Sequence, residues 1–206
     1  MRVLICIPCL LTGGTEIQTL NLVEALIRGG HQVTTVCYFE HTPNMVSRYQ
    51  QAGSKVVCLS VTGKRIGGIN GIIFLYKGLK QMIRISKPDI THVQYMAPGA
   101  IPILLLRLFG IKNIIATAHT VADIYPNLKL VHFIQRYCVR VFTCITQVAE
   151  MSFFGKSNLY TQKTVVQKVN HFTIYNVLPS YIKIREEQRD FSSPVTLGVV
   201  GRLEKI

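Results

Sequence analysis

Few residues in this sequence combine type and spacing in a way that could do chemistry. Gly13-Gly14, followed at once by Thr15-Glu16, places two positions without a Cβ just ahead of a helical pattern. Backbone N–H groups can approach an anion closely there, and the opening helix adds the positive end of its dipole. Phosphate binding is one reading; a plain tight turn is the other, since adjacent glycines are common turn residues. The spacing is not G-x-G-x-x-G, so a dinucleotide fingerprint is a poor match, although Glu40 after the second strand could imitate the ribose-binding acid of a nicotinamide enzyme. His119, within Ala116-Thr117-Ala118-His119-Thr120, closes an apolar run. An imidazole there can donate to a sugar hydroxyl or steady a developing charge, but a lone histidine is more often structural, and position leaves both roles open. Cys6-Ile7-Pro8-Cys9 imitates a dithiol motif. Its first cysteine falls inside a strand rather than at the helix N-terminus that would lower its pKa, so packing is the expected role. The other His and Cys positions show no paired spacing suited to zinc, and no metal site is expected.

The elements that must position these residues alternate. Val3 to Ile7 is a continuous apolar run typical of a strand covered on both faces, followed by the glycine turn and by Ile17, Leu20, Val23 and Ile27 at helical spacing. Gly29-Gly30 ends that helix and Val33 to Cys37 starts a second strand, giving a β-α-β unit with a right-handed crossover. The pattern then predicts a helix over Asn44 to Ala52, a strand over Lys55 to Val61, a helix over Ile69 to Ile85 and a strand over Asp89 to Gln94. Further on it predicts a helix over Pro98 to Phe109, a strand over Asn113 to Thr117, a helix over Leu128 to Val139, and strands over Phe142 to Thr146 and Phe172 to Tyr175. Such alternation specifies an α/β fold with a doubly wound parallel sheet, whose ligands collect beyond the carboxyl ends of the strands. Here those are the loops starting near Pro8, Tyr38, Gln94, His119 and Asn176. After Pro179 the composition changes: Lys183 to Asp190 is charged, Ser192-Ser193-Pro194 is linker-like, and Val195 to Val200 reads as a new buried strand. A first domain over 1–190 and the start of a second over 191–206 are expected, with the chain a fragment or truncated product.

Composition sets the class. Among 206 residues, 49% are hydrophobic and 16% charged, too apolar to be disordered. The formal charge of +13 favours phosphate-rich partners. No apolar run reaches the roughly 18–20 residues of a membrane span, and the start of the chain lacks a signal-peptide cleavage site. Six cysteines, four of them inside apolar runs, read as core fillers in a reducing compartment, with the cytoplasm as the default. From Lys64 to Lys87 the pattern is a basic amphipathic helix, with Ile72, Tyr76, Leu79 and Ile83 on one face and Lys77, Lys80, Arg84 and Lys87 on the next. A solvated surface helix and docking on an anionic membrane both account for it. Nucleic acid is not an expected partner, because interleaved exposed aromatics and helix-turn-helix or RNA-binding signatures are lacking.

The ordered pieces MRVLICIPCL, GGTE, LNLVEALIRGGHQVTTVC, KPDITHVQY, NIIATAHT, TIYNVLPSYI and VTLGVVGRLEKI resemble the N-terminal domain of GT-B glycosyltransferases, in particular the family 4 retaining enzymes. The resemblance runs nearly end to end, and its last piece is similar to the first strand and phosphate-binding turn of that family's C-terminal domain. It implies transfer of a hexosyl group from a nucleoside diphosphate sugar to an acceptor hydroxyl with retention, in glycolipid or cell-surface polysaccharide synthesis, with no metal and no other cofactor. Gly13, Gly14, Thr15 and Glu16 would then belong to the loop that closes on donor diphosphate and acceptor, His119 would sit beside the transferred sugar, and Gln94, Thr120 and Asn176 would line the substrate site. Arg202 would contact the donor phosphates. Two departures stand out: Val177 replaces the glycine usual after Asn176, and Gln94 replaces a commonly seen histidine. The expected partners are a nucleotide-sugar donor, a carbohydrate or lipid-linked acceptor, and the inner face of a membrane reached through Lys77, Lys80, Arg84 and Lys87. A non-catalytic remnant, or a subunit that binds an anionic surface within a glycosyltransferase complex, is the reading from another class.

Overall fold

The computed structural model describes residues 1–94, 100–125, 127–161 and 169–177. The expected domain boundary near residue 190, the strand over Val195 to Val200 and Arg202 lie outside the described residues. Among the described residues seven strands run in chain order: β1 (Arg2–Ile7), β2 (Gln32–Cys37), β3 (Lys55–Cys58), β4 (Ile90–Gln94), β5 (Ile114–Ala118), β6 (Val141–Cys144) and β7 (His171–Thr173). They form one sheet of order β3-β2-β1-β4-β5-β6-β7, and every pairing is parallel. The strand order reverses between β1 and β4, which is the switch point where such sheets collect ligands.

Among the described residues six α-helices join the strands: α1 (Gly14–Arg28), α2 (Pro43–Gln51), α3 (Gly68–Ser86), α4 (Ala100–Leu108), α5 (Leu128–Phe133) and α6 (Gln147–Phe154). Right-handed crossovers put α1 and α2 on one face and α3 to α6 on the other, and the core divides accordingly. Val3, Ile5 and Ile7 of β1 pack with Leu20 and Val23 of α1 and with Met45 and Tyr49 of α2. On the reverse face Leu4, Cys6, Val93, Ala116 and Phe142 join Leu79, Ile103, Ile134 and Phe153. The period of two along a strand explains this division of odd and even positions of β1.

Register carries the alternation across the sheet. Ile5 pairs with His92, His92 with Ile115, Gln94 with Thr117, and Thr117 with Thr143. His92, Gln94, Thr117 and Thr143 therefore share the face that α1 covers over β1, but the residues of β4 to β7 on that face belong to neither apolar cluster.

The structure departs from the predicted elements in four places. β3 stops at Cys58, not Val61, because the chain turns there: Ser60 Oγ donates to the Lys64 carbonyl (3.0 Å) and Val61 is 93% exposed. The predicted helix over 128–139 is α-helical only to Phe133 and widens into a π-helical turn over Ile134–Cys138. Strand β7 is His171–Thr173, shifted towards the N-terminus from the predicted 172–175. Helix α6 has no counterpart in the sequence reading. Its ends are nevertheless marked, by Thr146, whose side chain accepts from Ala149 N–H (3.1 Å), and by Gly155 at φ 68°.

Buried polar groups fasten this last helix to the sheet. Glu150 is fully buried and accepts from Thr173 Oγ1 (2.6 Å) and Asn158 N–H (3.0 Å), with His171 Nδ1 at 2.5 Å. Three partners satisfy a carboxylate that could not otherwise be taken out of water.

Candidate functional site

A pocket of about 250 Å³ opens where α1 meets the carboxyl ends of β4 and β5. That is slightly below the roughly 300–1,000 Å³ of small-molecule sites, a size suited to one sugar ring. Its floor is polar: His92 and Gln94 from β4, and Thr117 and His119 from β5 and its end. Thr19 and Leu22 of α1 form one wall, and Ile145 and the stretch 174–177 form the other.

The floor is organised by hydrogen bonds. His119 Nε2 lies 2.8 Å from Gln94 Oε1. His92 Nε2 lies 2.7 Å from Thr117 Oγ1, which in turn lies 2.7 Å from Thr143 Oγ1. Thr143 also reaches the Ala116 carbonyl at 3.3 Å. Gln94 is 2% exposed, yet its amide Nε2 finds no partner. Exchanging the amide's O and N merely moves the deficit to the other atom, so a bound molecule would meet an unpaired hydrogen-bonding group in the pocket floor. Burial pushes both imidazoles down to about 4, and for His92 the neighbouring His119 adds to it. At neutral pH both rings are uncharged, each with one nitrogen donating and one accepting.

Of the residues singled out from sequence, Gln94, His119 and Asn176 come together in this pocket. Thr120, next to His119, has a buried hydroxyl without a partner. The glycine turn stands at the N-terminus of α1, the helix that walls the pocket. There Gly13 is the N-cap in extended conformation, and a Cβ on it would collide with the Glu16 carboxylate. Glu16 itself is buried, with Cys9 Sγ 3.1 Å from its Oε1. Its own side chain therefore occupies the space beside Gly13, whereas the space beside Gly14 is open. Thr15 contributes its carbonyl to Thr19 Oγ1 at 2.8 Å. Val177 accepts at its carbonyl from Gln18 Nε2 (3.2 Å) and Asn21 Nδ2 (3.5 Å), so the chain after β7 is tied to α1 despite lacking glycine there.

Other expectations resolve readily. Burial raises the thiols of Cys6 and Cys9 to about 12, the opposite of a redox dithiol. Glu40 is engaged by Arg65 at 3.0 and 3.2 Å instead of standing free for a ribose. On α3, Leu79 is buried while Ile72 and Tyr76 are exposed, so they do not share one buried face. Ile69, Ile72, Ile73 and Tyr76 form an exposed apolar stretch, continued towards the C-terminus by Lys77, Lys80 and Arg84. No described helix is long and apolar enough to cross a membrane. Sequence reasoning missed His92, Thr117 and Thr143. The polar alternations His92-x-Gln94 and Thr117-x-His119 were the available signal.

The family model of Glycosyltransferase Family 4 matches residues 12–150. The chain belongs to that family. The match removes the nicotinamide-enzyme reading, and the sheet is that of the N-terminal half of a GT-B fold. Among solved structures, Anabaena HepE in complex with UDP is similar with TM-score 0.58 and 12% identity, over 86% of this chain and 44% of that one. Acinetobacter baumannii MurG gives TM-score 0.56 and 12% identity over 86% and 46%. The Neisseria meningitidis UDP-GlcNAc 2-epimerase bound to UDP-GlcNAc gives TM-score 0.59 and 12% identity over 85% and 47%. At these identities the likeness is one of fold. The chain spans under half the length of each of these three structures. No match was found among curated proteins.

Proposed function

We propose that this chain is the acceptor-side half of a glycosyltransferase that moves a hexosyl group from a nucleoside diphosphate sugar to an acceptor hydroxyl with retention. Family membership supports the reaction class, and the presence of UDP or UDP-GlcNAc in two structures of the same fold supports a nucleotide-sugar donor. The observation that carries the reading is the pair His119–Gln94 in the pocket floor, with one amide atom of Gln94 left unpaired. A sugar hydroxyl both donates and accepts, so it can pair with the carboxamide atom of Gln94 that has no partner, whichever way the amide is turned.

The chemical demand is management of charge. As the glycosidic bond breaks, the leaving diphosphate gains negative charge, which the N-terminus of α1 beside Gly14 and Thr15 is suited to stabilise. Glu16 beside Gly13 opposes an anion there, so Gly14 is the more favourable point of approach. Arg202 would supply a positive charge to the same group, and no metal is required for this assignment of roles. Asn176 and Thr120 would orient the acceptor. The exposed isoleucines and basic residues of α3, with Lys87, fit a cytoplasmic protein peripheral to an anionic membrane and a lipid-linked or cell-surface glycan acceptor.

The test is His119→Ala in the full-length protein. We expect sugar transfer to fall tenfold or more with folding intact, in line with what proton-handling and charge-stabilising contacts contribute. Unchanged turnover would take His119 out of the site, and no transfer by the unmutated protein would favour a binding module.

A further inference from the structure

Cys37, His41 and Cys58 take no part in the function proposed above, and their spacing in sequence suggests nothing. The fold brings them together. Cys37 and Cys58 are the last residues of β2 and β3 and are register partners, so their side chains leave the sheet on the same face. His41 lies just beyond β2, in a segment that folds back onto the loop following β1: Leu10 N–H donates to the Glu40 carbonyl (2.8 Å) and Thr42 N–H to the Leu10 carbonyl (3.0 Å). The result is two sulfurs and one imidazole nitrogen, all within 4.8 Å of one another.

Three features of this cluster match a metal centre. Zinc–sulfur and zinc–nitrogen bonds of about 2.3 and 2.0–2.1 Å imply separations of roughly 3.4–3.8 Å between tetrahedral ligands, so a contraction of at most about 1.4 Å brings the three atoms onto one ion. His41 Nδ1 lies 3.0 Å from the Phe39 carbonyl, and that contact fixes the proton on Nδ1 and leaves Nε2 with a lone pair, the outer-shell arrangement typical of metal-binding histidines. The cysteines are unbridged; Cys37 is fully buried while Cys58 and His41 are partly open, so an ion has a way in. Two sulfurs and an imidazole form a soft set, unsuited to magnesium or calcium.

We propose that Cys37, His41 and Cys58 bind one zinc ion, with water as the fourth ligand. Binding releases the two thiol protons to solvent; two thiolates and a neutral imidazole then leave the ion's charge of two balanced. The ion joins the end of β3 to the segment that supports the β1 loop, outside the pocket that holds Gln94 and His119.

The experiment uses cobalt as a spectroscopic probe of the purified, metal-stripped, reduced chain. One equivalent of Co²⁺ should produce thiolate-to-cobalt charge-transfer absorption with tetrahedral d–d bands, and one equivalent of Zn²⁺ should abolish both. Cys58→Ser and His41→Gln, each checked for folding by circular dichroism, should weaken Co²⁺ binding tenfold or more, while Cys9→Ser should leave it within twofold. Absence of the charge-transfer band in the folded chain would overturn the site. So would a band that survives unaltered in Cys58→Ser and His41→Gln.

Discussion

The two halves of the sheet treat the same face differently. Over β1 to β3, α1 and α2 seal it with Ile5, Ile7, Val33, Met45 and Tyr49. Over β4 to β6 that face carries His92, Gln94, Thr117 and Thr143, which form two hydrogen-bonded sets, His92–Thr117–Thr143 and Gln94–His119. Both halves are two-sided parallel sheet, where strands are usually apolar throughout. The difference therefore marks where the apolar layer gives way to the pocket. On this face the polar half has Ile115 and the buried Phe172 but no apolar layer continuous with that over β1 to β3, and much of its support comes from behind, through α4, the π-helical turn and the buried Glu150.

Breaking that rear support is the most severe test of the contrast. Glu150→Ala should cost about 3–5 kcal/mol, because it strands buried partners that the carboxylate now satisfies. Urea unfolding would measure the loss, and amide exchange should accelerate in β6 and β7 well before β1 and β2. Uniform acceleration would mean that the halves are one cooperative unit.

Acid should act on the polar half too. The folded pKa values of His92 and His119, about 4, lie below the unfolded value of 6.5, so the unfolded chain binds more protons as pH falls. Stability should therefore be complete above pH 6.5 and decline on acidification, by about 2 kcal/mol per imidazole at pH 5. Urea midpoints at pH 7 and pH 5 would show it, and His92→Gln with His119→Gln should flatten the profile. A profile unchanged by those variants would mean that neither ring is buried neutral.

A smaller effect separates site from surface. Replacing Lys77, Lys80 and Arg84 by Gln should weaken binding to anionic vesicles by about 1 kcal/mol per charge, with strong salt dependence. The histidine resonances of the pocket should stay where they are. Equal partitioning of the two proteins would reject membrane docking. The least effect is expected at the junction of the halves. Gly13→Ala must displace the Glu16 carboxylate and should cost at most about 1 kcal/mol, whereas Gly14→Ala, at the first turn of α1 with open space beside it, should be neutral or slightly stabilising in thermal melts. Equal effects at both glycines would show that Glu16 is not what Gly13 accommodates.

Most of the architecture was legible because apolar runs of strand length alternated with helical spacing, and glycines punctuated them. Helix α6 was not, since QVAEMSFF has no clear amphipathic period; only its caps, Thr146 and Gly155, marked it. Gln94, His119 and Asn176 could be anticipated from a general property of parallel sheets, whose carboxyl ends collect ligands. His92, Thr117 and Thr143 could not be joined from sequence because their hydrogen bonds run across strands, and strand order and register are set by tertiary packing. The same reason hid Cys37 and Cys58: partners across a parallel ladder are separated by a whole crossover.

The two bonds from Gln18 and Asn21 to the Val177 carbonyl act like a drawstring. They fasten the path leaving β7 to the very helix whose start carries the glycines. Tension on the chain beyond that knot would be felt at Gly14 without travelling through the sheet, so α1 couples the glycine turn to the posture of the segment after Val177.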